Sequence, residues 1–286
     1  MSDQDVIIIG APRSGTNMLR DVLTGLTGFT TWPCDEINLV WRHGNRDHPS
    51  DELTAAHATP EVREYIRRQF DKARRRYDGP VVVEKTCANS LRVEFVRAVK
   101  PDARYVFITR DGLDAAPSAM ERWDARFDLR YTAAKARFVP PGDVPYYGVR
   151  FVANRLRRRQ RLAGKVGHWW GPRPADAAEL MATRSLDEIC MAQWSRCVEA
   201  SLRGLAGLPE DRLHHVRYED FVARPQEGLR TLLGFLGRPE AYDESAVAAV
   251  SALSVGKGRR SLDAATRKCL NAVGGATLTG LGYELG

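Results

Sequence analysis

The sequence predicts an α/β fold of three layers, a central parallel sheet with helices on both faces. Three observations carry the prediction. Short, wholly apolar runs alternate with stretches of helical periodicity, and these runs end in charged or polar residues. Near the amino terminus, VIIIGAPRSGTNML (residues 6–19) gives a strand, a glycine-rich turn and a helix in direct succession. The chain has 286 residues, 43% of them hydrophobic, enough for a substantial core, and is read as one domain over residues 1–286.

Val6–Ile9 is an unbroken β-branched run, as expected of a parallel strand buried on both faces. Gly10, Pro12, Ser14 and Gly15 break it, and Met18, Leu19, Val22, Leu23 and Leu26 then recur at helical spacing. Trp32–Asn45 mixes aromatic, acidic and basic groups without a core period and is read as site lining. Glu61–Tyr77 reads as a basic amphipathic helix, and Val81–Val83 as a second strand running into Glu84, Lys85 and Thr86. Leu91–Val99 is expected to be helical, and Tyr105–Ile108 to be a third strand ending in Thr109, Arg110 and Asp111, before a helix that reaches about Trp123.

Residues 124–182 lose the core pattern and carry the loop signals PPGDVP and WWGPRP. Within them, RFVANRLRRRQRLAGKVGHWW puts Val152, Leu156, Val166 and Trp170 near one helical face among many arginines. A solvated face over a buried stripe is the first reading of that stretch, ahead of peripheral membrane contact. The pattern returns with a helix over Arg184–Leu205, a strand over Leu213–Arg217 and a helix over Gln226–Leu236. His214 and His215 fall on opposite faces of their strand and are given no role, while Trp194 is read as core.

A net charge of +7 and a pI near 9.3 favour anionic ligands without choosing among them. MSDQDVIII has acidic residues where a signal peptide would be basic, and no later stretch is long and apolar enough for a membrane span, so a cytoplasmic location is expected. The five cysteines are scattered, without CxxC spacing, and are expected to be reduced thiols with no metal site.

In a strand-loop-helix unit, free amides of the loop and first helical turn converge on one point, backed by the helix dipole. An anion belongs there. Gly10 and Gly15 match the opening of the nucleotide-binding pattern GxxxxGK followed by Ser or Thr, but Thr16 stands in the lysine position and Asn17 in that of the magnesium hydroxyl. A cation appears instead inside the loop, at Arg13. The pattern suits a phosphate-like group held without metal. Arg13, Lys85 and Arg110 each follow a strand, so three cations meet at one edge if those strands are neighbours. Ser118, eight residues after Arg110, is placed to grip a phosphate from a second side.

These segments resemble the sulfotransferases that use 3′-phosphoadenosine 5′-phosphosulfate (PAPS). APRSGTNML is similar to the family's 5′-phosphosulfate loop, and YVFITRDGLDAAPSAM to its 3′-phosphate segment, in the expected order. The resemblance covers roughly residues 5–123 and 184–262. It implies a P-loop-like sulfotransferase fold, PAPS as donor, 3′,5′-adenosine bisphosphate (PAP) as product, and no metal. Arg13, Ser14, Gly15, Thr16 and Asn17 would hold the 5′ side, and Arg110 and Ser118 the 3′-phosphate. Tyr218, in VRYEDF, would lie near the adenine. Lys257, Gly258 and Arg259, in VGKGRRSL, are similar to a loop that closes over the 3′-phosphate.

Small-molecule members of the family carry a catalytic histidine after the Lys-Thr pair, where this chain has Cys87. Glycan and tyrosylprotein members use a glutamate in the segment after the first helix, and Asp35-Glu36 lies there. Glu36 is the expected base, with Asp35 as the alternative; either could instead pair with Arg42 or His43. The implied reaction is in-line displacement at sulfur, with Arg13 and Lys85 stabilising the developing charge. The acceptor would be a hydroxyl on a carbohydrate or specialised metabolite, with residues 124–182 as an acceptor-side insertion or lid. Glu84 and Glu219 are read as structural. A P-loop kinase is the rival enzyme, opposed by Thr16 and Asn17. A nucleic-acid-binding protein is the rival outside catalysis, and no RNP, zinc-finger or helix-turn-helix signature supports it.

Overall fold

The computed structural model describes residues 4–123 and 169–285. Five parallel strands form the sheet: β1 (Val6–Ile9), β2 (Phe29–Thr30), β3 (Val81–Lys85), β4 (Arg104–Thr109) and β5 (Leu213–Arg217), in the order β2-β3-β1-β4-β5. The first strand is therefore central, flanked by β3 (Ile8 opposite Lys85) and β4 (Ile9 opposite Phe107). This is the arrangement that brings Arg13, Lys85 and Arg110 to one edge.

Side chains of the strands alternate between two cores, because successive residues face opposite sides of a sheet. Ile7, Ile9, Val82, Tyr105 and Phe107 pack with α2 (Asn38–Trp41), α3 (Pro60–Arg76) and α4 (Val93–Val99). Val6, Ile8, Val83, Val106 and Ile108 pack on the other face with α1 (Thr16–Thr24). A third cluster joins α5 (Gly112–Trp123), α6 (Ala177–Thr183) and α7 (Leu186–Leu205). After β5 come α8 (Tyr218–Ala223) and α9 (Pro225–Phe235), on the α1 face, then the short α10 (Lys257–Ser261) and α11 (Ala264–Gly280). His214 stacks on Phe235 and His215 meets the edge of Phe107, which puts the two rings on opposite faces.

Several expectations need correction. The helix read over Leu91–Val99 is two pieces, a 3₁₀ turn at Cys87–Leu91 and then α4. Residues 124–182 are not irregular throughout: 124–168 lie outside the described residues, as does most of the basic stretch, but 177–183 form α6. The element boundaries of β2, α8 and α11 had no counterpart in the sequence reading. Among the described residues, no helix is long and apolar enough to cross a membrane, and no group of three or more His, Cys, Asp or Glu side chains could hold a metal.

Candidate active site

The loop after β1 is built on two left-handed residues, Arg13 (φ 67°) and Gly15 (φ 88°). Gly15 caps α1, and its lack of a side chain is required: a Cβ there would lie 2.4 Å from the ring of Tyr218. Ser14 is fully buried between them, and its Oγ has no hydrogen-bond partner. Thr16 is also buried, its hydroxyl 3.7 Å from the sulfur of Cys87, whereas Asn17 is exposed on the first turn of α1.

Arg13 and Arg110 form one cationic unit. Arg13 Nε donates to Ser118 Oγ at 2.9 Å, and Arg110 Nη1 donates to the Arg13 carbonyl at 3.0 Å. Burial, then the neighbouring charges of Arg122 and Arg110, lower the Arg13 pKa from its ordinary value. The Arg110 guanidinium lies 4.5 Å from the centre of the Tyr218 ring and donates to the Ser254 carbonyl, while its buried Nε is unpaired. The Trp194 indole, buried as expected, donates to the Arg110 carbonyl at 3.2 Å and so fixes the turn after β4. Two buried polar atoms without partners, Ser14 Oγ and Arg110 Nε, therefore lie beside clustered cations, as expected of a phosphate cradle.

The third cation, Lys85, is buried at the end of β3 and donates to Glu36 Oε1 at 3.1 Å. The same oxygen accepts the Cys87 amide at 3.3 Å. Burial works against the Lys85 charge, but Cys87 and Glu36 outweigh it and raise its pKa. Asp35 faces elsewhere: Arg20 Nη1 binds its carbonyl at 3.1 Å and its carboxylate at 3.4 Å. Arg42 is committed to Asp51 at 3.0 Å rather than to either acid of the pair. Burial pushes the Cys87 thiol up to about 12, so it stays protonated at neutral pH.

Glu84, one residue before Lys85, is wholly buried and points the other way. It accepts from Thr86 Oγ1 at 2.5 Å and Asn89 Nδ2 at 2.9 Å, and Thr86 Oγ1 in turn accepts the Ile37 amide at 3.2 Å. Its role in the network is to hold the backbone beside Glu36. Glu219 is likewise structural, accepting the Asp111 amide at 3.0 Å and the Tyr283 hydroxyl at 2.9 Å.

Lys257–Arg259, expected as a loop, form the first residues of the short helix α10, which lies against the start of α5. Lys257 is exposed, Gly258 packs on the Leu113 carbonyl, and Arg259 pairs with Asp111 at 2.8 Å. Neither Asp111 nor Asp114, which receives two amides of that loop, was singled out by the sequence reading. Only their spacing from Arg110 could have drawn attention to them.

The sulfotransferase family model matches residues 5–139 and 150–244, most of the chain and all of the cradle except the late loop. The chain belongs to the sulfotransferase family. Solved sulfotransferases share the fold at low identity. One is the sulfotransferase domain of the Synechococcus PCC 7002 olefin synthase, at 14% identity, TM-score 0.56, covering 100% of this chain and 98% of that one. The sulfotransferase domain of the curacin biosynthetic pathway gives 14% identity, TM-score 0.53 and 99% coverage of both chains. A sulfotransferase from Mycobacterium avium gives 14% and 0.50, covering 99% of this chain and 78% of that one. No curated protein matches the sequence. As a family, sulfotransferases take their sulfuryl group from PAPS and deliver it to hydroxyl acceptors. The residues of this chain fit such a donor: the unpaired Ser14 hydroxyl and Arg110 Nε are the donors a phosphate would meet, and Gly15 lets the backbone approach it.

Proposed function

We propose that this sulfotransferase, acting as a single domain over residues 1–286, moves the sulfuryl group of PAPS to a hydroxyl of a carbohydrate or specialised metabolite, with Glu36 as general base. The observation that carries the reading is the contact of Glu36 Oε1 with Lys85 Nζ at 3.1 Å at the sheet edge that also holds Arg13. Lys85 holds the carboxylate in place beside the acceptor position. The acceptor oxygen attacks sulfur, its proton passes to Glu36, and the bond from sulfur to the 5′-phosphate oxygen breaks, releasing PAP. Lys85 and Arg13 stabilise the charge that builds on the leaving oxygen and the sulfuryl group.

Ser14, Gly15, Thr16 and Asn17 belong to the 5′ side of the donor, Arg110 and Ser118 to the 3′-phosphate, and Tyr218 to the adenine, with Lys257, Gly258 and Arg259 forming the loop above. The segment 124–182 serves the acceptor. Its described end supports this, because Asp51 and Glu52, in the loop after α2, take the amides of Arg173 and Ala175 at 2.9 and 3.0 Å.

Calorimetric titration tests the donor assignment. PAP in EDTA is expected to bind tightly, and ATP with magnesium weakly; the reverse result would return the kinase reading. Labelled PAPS then serves an acceptor screen, where Glu36→Gln is expected to keep PAP affinity and lose transfer.

A further inference from the structure

The geometry points to Asp114 as the positioning residue that seats the Ser254–Ser261 loop over the donor cradle, and so as a determinant of selectivity for the 3′-phosphate. The inference rests on the donor reading above. Asp114 is buried in the first turn of α5, four residues after Arg110. Its two carboxylate oxygens take different amides of the loop: Oδ2 accepts from Gly256 at 2.5 Å and Oδ1 from Arg259 at 3.0 Å. These are the free amides at the start of α10, so the carboxylate caps that turn from another element.

Further contacts tie the loop to the residues around Arg110, while Arg259 Nη2 also donates to the Glu284 carbonyl at 2.7 Å and Arg267 Nη2 to the Arg259 carbonyl at 3.3 Å. Arg110 Nη2 donates to the Ser254 carbonyl at 2.9 Å, and Tyr218 Oη lies 2.6 Å from Ser254 Oγ. Arg259 Nε and Nη2 donate to Asp111 Oδ2 at 3.0 and 2.8 Å. Gly258 is pressed so close that a Cβ would stand 2.7 Å from the Leu113 carbonyl and 2.8 Å from Asp114 Cα. Pro117 explains that approach. It has no amide to offer Leu113 four residues earlier, so this carbonyl is free to face the loop.

The arrangement divides the loop's labour. The amides of Gly256 and Arg259 are spent on Asp114, and the Arg259 guanidinium on Asp111 and the Glu284 carbonyl, which leaves the exposed Lys257 and Arg260 as the charges the loop presents to a ligand. By capping the turn that carries both, Asp114 sets where those charges sit.

Simple electrostatics predicts the opposite effect on binding, which makes the test decisive. Asp114 Oδ2 lies 3.9 Å from Arg110 Nη2, so removing its charge leaves Arg110 more attractive to phosphate. In Asp114→Asn, an amide can accept only one of the two loop N–H groups well, and the loop is released. Titration of wild type and variant with PAP and with adenosine 5′-monophosphate, which lacks the 3′-phosphate, separates the two. We expect PAP affinity to fall about tenfold or more, and that of the monophosphate to stay within about twofold. Hydrogen exchange at the Gly256 and Arg259 amides should rise in the same variant.

Unchanged or tighter PAP binding would overturn the inference, as would an equal loss for both nucleotides or unaltered exchange at the two amides. Wild-type protein that does not prefer PAP over the monophosphate would instead sink the donor reading, whatever the variant does.

Discussion

At the scale of single residues, chemistry and support are separated by one position in the chain. Glu84 and Lys85 are neighbours in β3, yet Lys85 faces the cradle and Glu84 a buried network. Glu36→Gln should lower turnover by about 10²–10⁴-fold with PAP affinity retained, measured with labelled PAPS and calorimetry. Cys87, protonated up to about pH 12, should resist iodoacetamide at pH 8 while the exposed Cys269 reacts, as peptide mapping would show. Burial holds the Glu84 carboxyl at about 7, against the hydrogen bond from Thr86. Between its ordinary value and that one, the folded chain keeps a proton that the unfolded chain has released. Stability therefore falls as pH rises through this window. Melting curves of Glu84→Gln against wild type should move in the variant's favour from pH 4.5 to pH 7, and a constant difference would contradict the assignment. The cations were legible because each follows an apolar strand. The orientation of Asp35 was not, since it depends on Arg20, fifteen residues away, drawing it aside.

Among elements, those with strong periodicity were legible and those stabilised by partners were not. Strand β1 is a continuous apolar run, β3 and β4 are built on the apolar runs Val81–Val83 and Tyr105–Ile108, and α3 carries Val62, Ile66 and Phe70 at regular spacing. The two residues of β2 are too few to show a period. The helix α11 contains the pair Gly274-Gly275, which reads as a breaker in sequence. In the fold Gly274 lies where a Cβ would meet Met191 at 2.4 Å, so the glycine permits a close helix contact. The turn into α1 can be tested in the same terms. Gly15→Ala introduces a Cβ against Tyr218 at a left-handed residue and should cost about 1–3 kcal/mol in denaturant unfolding, with a loss of PAP affinity.

For the whole molecule, strand order decides whether the site exists, and order comes from pairings distant in sequence. The sequence could state only the condition that three strands be neighbours; the β3-β1-β4 arrangement meets it. Because all five strands run the same way, Arg13, Lys85 and Arg110 at their carboxyl ends emerge at one edge. The acceptor side has a different logic. Trp123 and Trp169, which flank residues 124–168, meet edge to face with ring centres 5.3 Å apart. The described residues on either side of 124–168 are therefore held together by their side chains, and bridging them needs only a short linker. Replacing 124–168 by a short glycine-serine bridge should preserve PAP binding in calorimetry while abolishing transfer to the native acceptor. The two tryptophans act as a clasp that closes the described scaffold independently of what lies between them. If 124–182 serves the acceptor as proposed, relatives could change acceptor within the clasp and leave the residues that handle sulfate untouched.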